Sequence, residues 1–206
     1  MSGHDVTVNT VAYGKGDPHL GSDSTQATRL SRDAWLLRAL DVLRSEGIQG
    51  VRVERLARDL NVTKGSFYWH FEHGNDLRRS ILDFWTRQYN DVIIENREFL
   101  ESEPAEGLLA ALMRVREDGL DQYELAMRAW ADHDENADKV VRAVHDRRKR
   151  FVGSFFSRLG FRGLDAEIRT RLTLCYMSWE PNMYQEEPEA RQINLLKLQH
   201  DLLTRK

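Results

Sequence analysis

The stretch that decides the fold is GVRVERLARDLNVTKGSFYWHF, residues 50–71. Its first half predicts a short helix with one apolar face, formed by Val53, Leu56, Ala57 and Leu60. Asn61 comes next, and asparagine tolerates the left-handed backbone conformation that ends a helix and turns the chain. Thr63 can then cap a second short helix that runs to Phe71. Two short helices joined by a turn of about three to four residues are typical of a helix-turn-helix.

The second of these helices combines side chains that a buried core would not bring together. Because residues four apart share a face, Phe67 and Phe71 form an apolar pair that can close a core. The other side chains point away from that core: Lys64, Gly65, Ser66, Tyr68, Trp69 and His70. Ammonium, phenol, hydroxyl and imidazole groups hold phosphates and read base edges in a DNA major groove. The alternative is that the two outer rings pack on the following helix while Lys64 and His70 are only solvated.

A further helix is predicted just upstream, from LSRDAWLLRALDVLRSEG, residues 30–47. Ser31 is a good N-cap, leucines recur at positions 36, 40 and 43, and Gly47 ends the pattern. The three helices form a predicted module over residues 29–80, with the helix-turn-helix at about residues 52–71. This module has 10 Lys and Arg against 7 Asp and Glu, whereas the whole chain has a net charge of −3. A basic module on an acidic chain favours an anionic partner for the module.

The remainder of the chain shows helical patterns and no alternating run typical of a strand. Residues 1–28 are rich in Gly, Ser, Thr and Asp and are predicted to be a flexible arm. A turn is predicted at EHGN, residues 72–75, followed by one long amphipathic helix over residues 76–100. The predicted fold is therefore all-α, with a three-helix module joined by a long helix to a larger helical domain, residues 81–206.

The composition excludes several classes of protein. With 206 residues, 41% hydrophobic and 31% charged, the chain fits a globular protein. No stretch approaches the roughly 20 apolar residues that span a bilayer, and no signal-peptide pattern is present, so we expect a cytoplasmic protein without membrane contact. The single Cys175 excludes an internal disulfide and a thiolate zinc site. Its apolar neighbours predict a buried position on a helix.

No constellation of residues indicates catalysis, a cofactor or a metal. A nucleophile, a base and an orienting group do not converge in the sequence, so we do not expect an enzyme. Histidine and carboxylate residues at 133–135 and 145–146 are adjacent in sequence and diverge on a helix, so we expect no metal site. The basic run DRRKR, residues 146–150, lies in an amphipathic pattern and is predicted to be a solvated helix face.

The segment GVRVERLARDLNVTKGSFYWHFEHGNDL, residues 50–77, resembles the TetR family of bacterial transcriptional regulators, of the TetR/AcrR type. It matches the family pattern of a second helix ending IA…GV and a third carrying G-x-[LF]-Y-x-H-F, and the resemblance extends from about Arg29 to Phe84. It implies a homodimer whose modules enter successive major grooves of a palindromic double-stranded operator. It also implies a repressor that a small-molecule effector, bound in the larger dimerisation domain, releases from DNA. An activator or a ligand-independent regulator of the same family is the alternative.

The resemblance also assigns roles to residues of the module. Tyr68 and His70 are expected to hold phosphates, and Thr63 and Lys64 to lie near the DNA backbone or bases at the start of the recognition helix. The residues expected to face the groove are Gly65, Ser66 and Trp69.

Two positions depart from the family pattern. The family usually has Thr or Ser at the start of the second helix, whereas this chain has Val53, so we expect Arg52 to take over the phosphate contact. The family commonly has Lys at the start of the fourth helix, whereas this chain has Gly74. Backbone N–H groups and His73 then remain for a phosphate at that helix.

Two functional surfaces are predicted in the larger domain. An aromatic and methionine stripe at helical spacing suits a pocket for an apolar effector, with plain core as the alternative: Tyr123, Met127, Trp130 and His133. The last two helices are more apolar than one core face needs, and in the family these helices form the dimer. With burial inside the monomer as the alternative, the expected interface residues are Ile168, Leu172, Trp179, Ile193, Leu196 and Leu203.

Overall fold

A computed structural model describes residues 30–184 and 186–206 of the protein, without the side chains of residues 180–182. The predicted flexible arm, residues 1–28, lies outside this part of the chain. The helices are α1 (Arg32–Glu46), α2 (Val53–Asp59), α3 (Lys64–Phe67), α4 (Gly74–Thr86), α5 (Val92–Ile94), α6 (Arg97–Glu101), α7 (Pro104–Glu117), α8 (Glu124–Ala131), α9 (Glu135–Arg158), α10 (Gly163–Met183) and α11 (Glu189–Thr204). These described residues contain no β-strand, so the predicted all-α fold is confirmed.

The first three helices pack around a small aromatic core. Ser31 Oγ accepts a hydrogen bond from the Ala34 N–H at 3.2 Å where α1 begins, and Gly47, with φ of 73°, ends the helix. The Phe67 ring is fully buried and stacks on Phe71 with 5.1 Å between centroids. The other large buried side chains of this core are Trp35, Leu36, Leu40, Leu43 and Leu56. Since burying one such side chain contributes about 1.5–3 kcal/mol, the two phenylalanines hold α3 against α1 and α2.

The turn between α2 and α3 confirms the role predicted for Asn61. This residue has φ of 54°, in the left-handed region. The next N–H, of Val62, bonds to the Ala57 carbonyl at 2.9 Å and closes the turn. Thr63 occupies the N-cap position of α3 with extended backbone, but its side chain makes no capping hydrogen bond.

The α-helix of α3 is shorter than the sequence predicted. It ends at Phe67, and the next three residues form a turn. The His70 N–H bonds to the Phe67 carbonyl, three residues back, at 2.9 Å, which is the tighter winding common at helix ends. Tyr68 and Trp69 therefore lie on this turn. They still follow α3 directly and share its exposed side.

The predicted long connecting helix is present but is shorter and less regular than the sequence predicted. Helical structure runs without a break through α4, a π-helical turn at Arg87–Asp91 and α5, and the short α6 follows separately. In the π-helical turn Asn90 is buried, and its side-chain amide donates to the Trp85 carbonyl at 3.0 Å. A side chain that bonds to a main-chain carbonyl in this way competes with the regular helical ladder. Such turns are frequent at functional sites.

The body of the protein is built around α9, which packs against α4, α7, α8 and α10. Its core contains Ile93, Phe99, Leu108, Ala111, Leu112, Leu120, Phe151, Val152, Phe155, Phe156, Phe161, Met177 and Leu196. Leu196 of α11 is fully buried in this core. The prediction that Leu196 lies at a dimer interface is therefore wrong, because a side chain without exposed surface cannot contact a second chain.

Three further observations concern Cys175, membrane spans and metal sites. Cys175 on α10 is exposed, so the predicted burial is wrong: the helix turns this position outward although its sequence neighbours are apolar. In the described part of the chain, no helix combines the length and the apolar character needed to cross a membrane. Residues 30–184 and 186–206 also contain no group of three or more His, Cys, Asp or Glu arranged to hold a metal ion.

Candidate nucleic-acid interface

The face predicted to contact DNA lies on the surface of the module. Trp69 is 73% exposed and Tyr68 is 57% exposed, although Phe67 beside them is fully buried. Thr63, Lys64 and Gly65 are also exposed, and Ser66 is half-buried. The rings of Tyr68 and Trp69 are therefore not part of the buried core. They form a projecting aromatic surface next to a lysine.

Lys64 is held in place by Glu54 of α2, with 2.5 Å between its Nζ and the carboxylate. Their hydrogen bond raises the pKa of Lys64 and lowers the pKa of Glu54. Lys64 is therefore cationic at neutral pH. Because both side chains are exposed, the pair contributes little in water, and a phosphate can replace the carboxylate as the partner of the ammonium group.

His70 differs from its neighbours in orientation. It is half-buried, and its Nε2 atom is buried without a hydrogen-bond partner. The imidazole lies beside the Phe71 ring, with 6.3 Å between centroids. The phosphate contact implied for His70 would therefore have to use Nδ1.

The two positions that depart from the family pattern lie at the starts of α2 and α4. Arg52 is the N-cap residue of α2 and makes no side-chain cap; its Nε donates to the Gln49 carbonyl at 2.9 Å, and the residue is exposed. His73 instead caps α4, since its Nδ1 accepts the Asp76 N–H at 3.0 Å. A Cβ added at Gly74 would meet no atom within 4 Å, so this helix start is open to the surface.

Some of the positively charged side chains of the module form ion pairs that hold its helices together. Arg38 and Arg55 both bind Asp59, at 2.6 Å and 2.8 Å, and Arg55 also pairs with Glu46 at 2.9 Å. These two arginines join α1 and α2. The excess charge counted from the sequence therefore overstates the number of cations that can reach a phosphate.

The body contains a cavity of about 70 Å³ between α5, α7, α9 and α10. Its lining is mostly apolar and comprises Tyr89, Asn90, Ile93, Ile94, Ala111, Leu112, Val115, Leu120, Asp121, Glu124, Arg148, Phe151, Val152, Leu174, Met177 and Ser178. None of the four predicted pocket residues lines it. Tyr123, Met127 and Trp130 are buried, whereas His133 is exposed. Tyr123, Met127 and Trp130, which we call the α8 stripe, are therefore packed core, because α8 packs against α9 and α1.

One end of the cavity is polar. Arg148 donates to the Asn90 side-chain oxygen and to the Glu124 carboxylate, both at 2.7 Å, and Glu124 also pairs with Arg128 at 3.2 Å. The predicted solvated face at residues 146–150 is thus wrong for Arg148, which points inward. Sequence reasoning missed this cluster because its members lie on three different elements. Asn90 gave no local signal either, because it lies in the polar segment RQYND, residues 87–91.

Asp121 lies at the same end of the cavity. Burial raises its carboxyl pKa, although nearby Arg116 opposes that effect. Its Oδ2 atom is buried without a hydrogen-bond partner, and the Arg116 guanidinium lies 3.7 Å from it, beyond hydrogen-bonding distance. The cavity wall therefore contains a hydrogen-bond acceptor that the protein itself does not satisfy.

The outward side of α10 is a continuous apolar stripe, the α10 stripe, which consists of Leu164, Ile168, Leu172, Cys175, Trp179 and Met183. Steps of three and four residues keep these side chains on one side of the helix. The helix has 21 residues and is therefore about 31 Å long. Leu198 and Leu202 of the adjacent α11 are exposed as well.

Of the predicted interface residues, Ile168, Leu172 and Trp179 lie in the α10 stripe. Ile193 and Leu203 on α11 are half-buried. The exposed apolar surface is thus centred on α10.

An exposed lysine and aromatic surface on a helix-turn-helix, set on an all-helical body, is typical of DNA-binding transcriptional regulators. Comparison with known families gives a more specific result. Residues 36–79 match the family described as "Bacterial regulatory proteins, tetR family". The resemblance to TetR-family regulators is thus confirmed for the module, whose residues 36–79 match this family.

The fold is similar to several solved structures. The TetR family transcriptional regulator PfmR from Thermus thermophilus has 18% identity and a TM-score of 0.66, over 82% of this chain and 96% of that chain. A transcriptional regulator from Rhodococcus sp. Rha1 has 17% identity and a TM-score of 0.61, over 85% and 94%. A regulator of the TerR/AcrR family from Aquifex aeolicus VF5 has 21% identity and a TM-score of 0.57, over 84% and 95%. A search of curated protein sequences finds no significant match.

Proposed function

We propose that this protein is a homodimeric repressor that binds a palindromic double-stranded DNA operator in the cytoplasm and is released by a small-molecule effector. The observation that carries the proposal is the exposed surface of Lys64, Tyr68 and Trp69 on the helix-turn-helix. A cation and two projecting rings beside a short recognition helix provide phosphate contacts and base-edge contacts together. The proposed activity is binding, and it involves no catalytic step.

The α10 stripe supports the dimer. Six exposed side chains along one helix, next to exposed Leu198 and Leu202, form a larger apolar surface than isolated exposed leucines explain. A second copy of the same chain would cover this surface by placing its own α10 and α11 against it, since a two-fold axis pairs a surface with itself.

The cavity and its surroundings support the effector. Tyr89 in the cavity wall contacts Tyr123 edge to face, with 5.0 Å between ring centroids. The Tyr123 hydroxyl donates to the Asp41 carboxylate of α1 at 2.8 Å, and Arg44 of α1 donates to the Gln122 side chain at 2.8 Å. These direct contacts connect the cavity wall to the first helix of the module, and through them a displacement of the wall would reach the module.

The proposed transmission can be tested without an effector. Val115→Trp places an indole in the cavity, and we expect it to weaken DNA binding by about tenfold, within the usual 5–150-fold range of allosteric coupling. Adding Tyr123→Phe, which keeps the ring and removes its hydrogen bond to Asp41, should restore most of the affinity. Fluorescence anisotropy with labelled DNA measures both effects.

The control for this pair of variants is Val92→Trp, because Val92 is exposed and far fewer atoms surround it. It should leave DNA binding unchanged. If Val115→Trp retained its parental melting behaviour and bound DNA as tightly as the parent, the proposed transmission from the cavity would be wrong.

Selection of bound DNA from a random pool tests the proposed function most directly. We expect enrichment of a palindrome whose half-site centres are about 10–10.5 base pairs apart, or a multiple of that spacing. A reporter driven by the selected site should be expressed more strongly when the protein is absent. A pool that remains random would reject the proposal, and a reporter that loses expression would indicate an activator.

A further inference from the structure

We infer that the cavity selects apolar molecules with a hydrogen-bond-donating, cationic head, such as alkyl amines, over carboxylates of the same length. This inference names the chemical class of the proposed effector, and so it rests on the proposed function for its biological meaning. The binding preference itself follows from the cavity wall.

Most of the wall can only take an apolar group. The aliphatic and aromatic lining residues include Ile93, Leu112, Leu120, Phe151 and Met177. A polar group placed against them would lose its hydrogen bonds to water without replacement. A ligand must therefore place its polar atoms at the end of the cavity where Asn90, Asp121, Glu124 and Arg148 lie.

At that end, Asp121 is the side chain with an acceptor oxygen that receives no hydrogen bond. Arg148 donates to both Asn90 and Glu124, and Arg128 also pairs with Glu124. Asp121 has a buried oxygen with no hydrogen-bond partner, and Arg116 lies 3.7 Å from it. A carboxylate oxygen accepts hydrogen bonds and donates none, so the complementary head group is a donor.

The charges distinguish an amine from an acid. An ammonium head would donate to Asp121 and pair with its charge in a medium of low dielectric constant. A carboxylate head would lie beside the carboxylates of Asp121 and Glu124, and the Arg148 guanidinium at this end already donates to Glu124 and Asn90. Leaving a buried charge without its partner is strongly unfavourable.

The small size of the cavity means that a ligand would displace its wall. A volume of about 70 Å³ is about half that of an engineered apolar cavity of roughly 150 Å³ that binds benzene. A ligand with an alkyl chain of several carbons must therefore push the wall apart. Tyr89 and Asn90 of the wall lie on the π-helical turn that directly continues α4. Binding of such a ligand would therefore move the segment that leads back to the module.

The test compares three probes that differ only in their head group, n-octylamine, n-octanol and octanoate, by isothermal titration calorimetry at neutral pH without DNA. We expect the amine to bind at least about tenfold more tightly than the carboxylate, as for a hydrogen bond to a charged group. Asp121→Asn should weaken amine binding by a similar factor and change octanol binding little, because the asparagine oxygen still accepts a hydrogen bond. Asp118→Asn, at an exposed residue that does not line the cavity, should change neither.

Val115→Trp provides a second check, because filling the cavity should abolish binding of all three probes. Equal or tighter binding of octanoate, an unchanged amine preference in Asp121→Asn, or no binding of any probe would each overturn the inference. The proposed function can be rejected by a different result. If the amine bound through Asp121 but left the selected DNA fully bound, the ligand class would stand and release by an effector would be rejected.

Discussion

Lys64→Met is expected to weaken binding to DNA of every sequence and to reduce the slope of log affinity against log salt concentration by about 0.9, the contribution of one phosphate-bound cation. The ammonium group lies on the exposed face beside Tyr68 and Trp69, and its present partner Glu54 can be replaced by a phosphate. The affinity should fall by about tenfold or more at low salt, since hydrogen bonds to charged groups contribute about 1.5–3 kcal/mol. Fluorescence anisotropy over a salt series measures both quantities.

Two other variants separate the roles on this face. Tyr68→Phe removes a neutral donor, so the affinity should fall for all sequences while the salt slope stays the same. Trp69→Ala should mainly relax sequence preference, because a base-edge contact contributes about 1–3 kcal/mol of discrimination. Lys139→Met, at an exposed residue of α9 outside residues 29–80, is the matched control. An unchanged salt slope in Lys64→Met would show that Lys64 does not contact a phosphate.

Leu172→Glu is expected to convert the protein to a monomer and to reduce operator affinity sharply, since each monomer would hold only one half-site. Leu172 lies in the middle of the α10 stripe and is 48% exposed, so the charge is tolerated in the isolated chain and excluded from an apolar interface. Its effect on the stability of the monomer should stay within about 0.5 kcal/mol. Sedimentation velocity gives the mass, and thermal melting gives the stability.

Leu196→Glu is the informative contrast on α11. Because Leu196 is fully buried, we expect this variant to lose more folding stability than the about 2–5 kcal/mol lost in a leucine-to-alanine change in a core.

The exposed Cys175, the single cysteine of the chain, offers an independent check of the proposed dimer interface. A short bifunctional thiol reagent should join two chains if the stripes face each other. A dimer that persists in folded Leu172→Glu would place the interface elsewhere.

Local features of the module could be predicted from the sequence. Ser31, Gly47 and Asn61 act through their own backbone conformation or their nearest neighbours, and all three hold the predicted positions. The apolar spacing of Phe67 and Phe71 likewise determined which side of the segment is buried. The extent of α3 was not predictable in this way, because the tightening after Phe67 depends on how the two rings fit against α1.

The functional surfaces of the body were harder to predict. The α8 stripe of Tyr123, Met127 and Trp130 has the same spacing whether it faces a cavity or a core. It is part of the core because α8 packs against α9 and α1. The cavity combines Asn90 and Arg148, which are 58 residues apart. No local pattern links two such positions.

The sequence by itself determined that this chain is helical, that it carries a helix-turn-helix, and which side of that motif bears Lys64, Tyr68 and Trp69. These properties follow from side-chain periodicity and backbone preference over a few neighbouring residues. Only the tertiary structure determined that one ring nitrogen of His70 is buried and that Asp121 lines a cavity. It also determined that Leu196 lies in the core whereas Leu172 lies on the surface. Each of these depends on which helices become neighbours, because burial and hydrogen-bond partners are properties of the packed molecule.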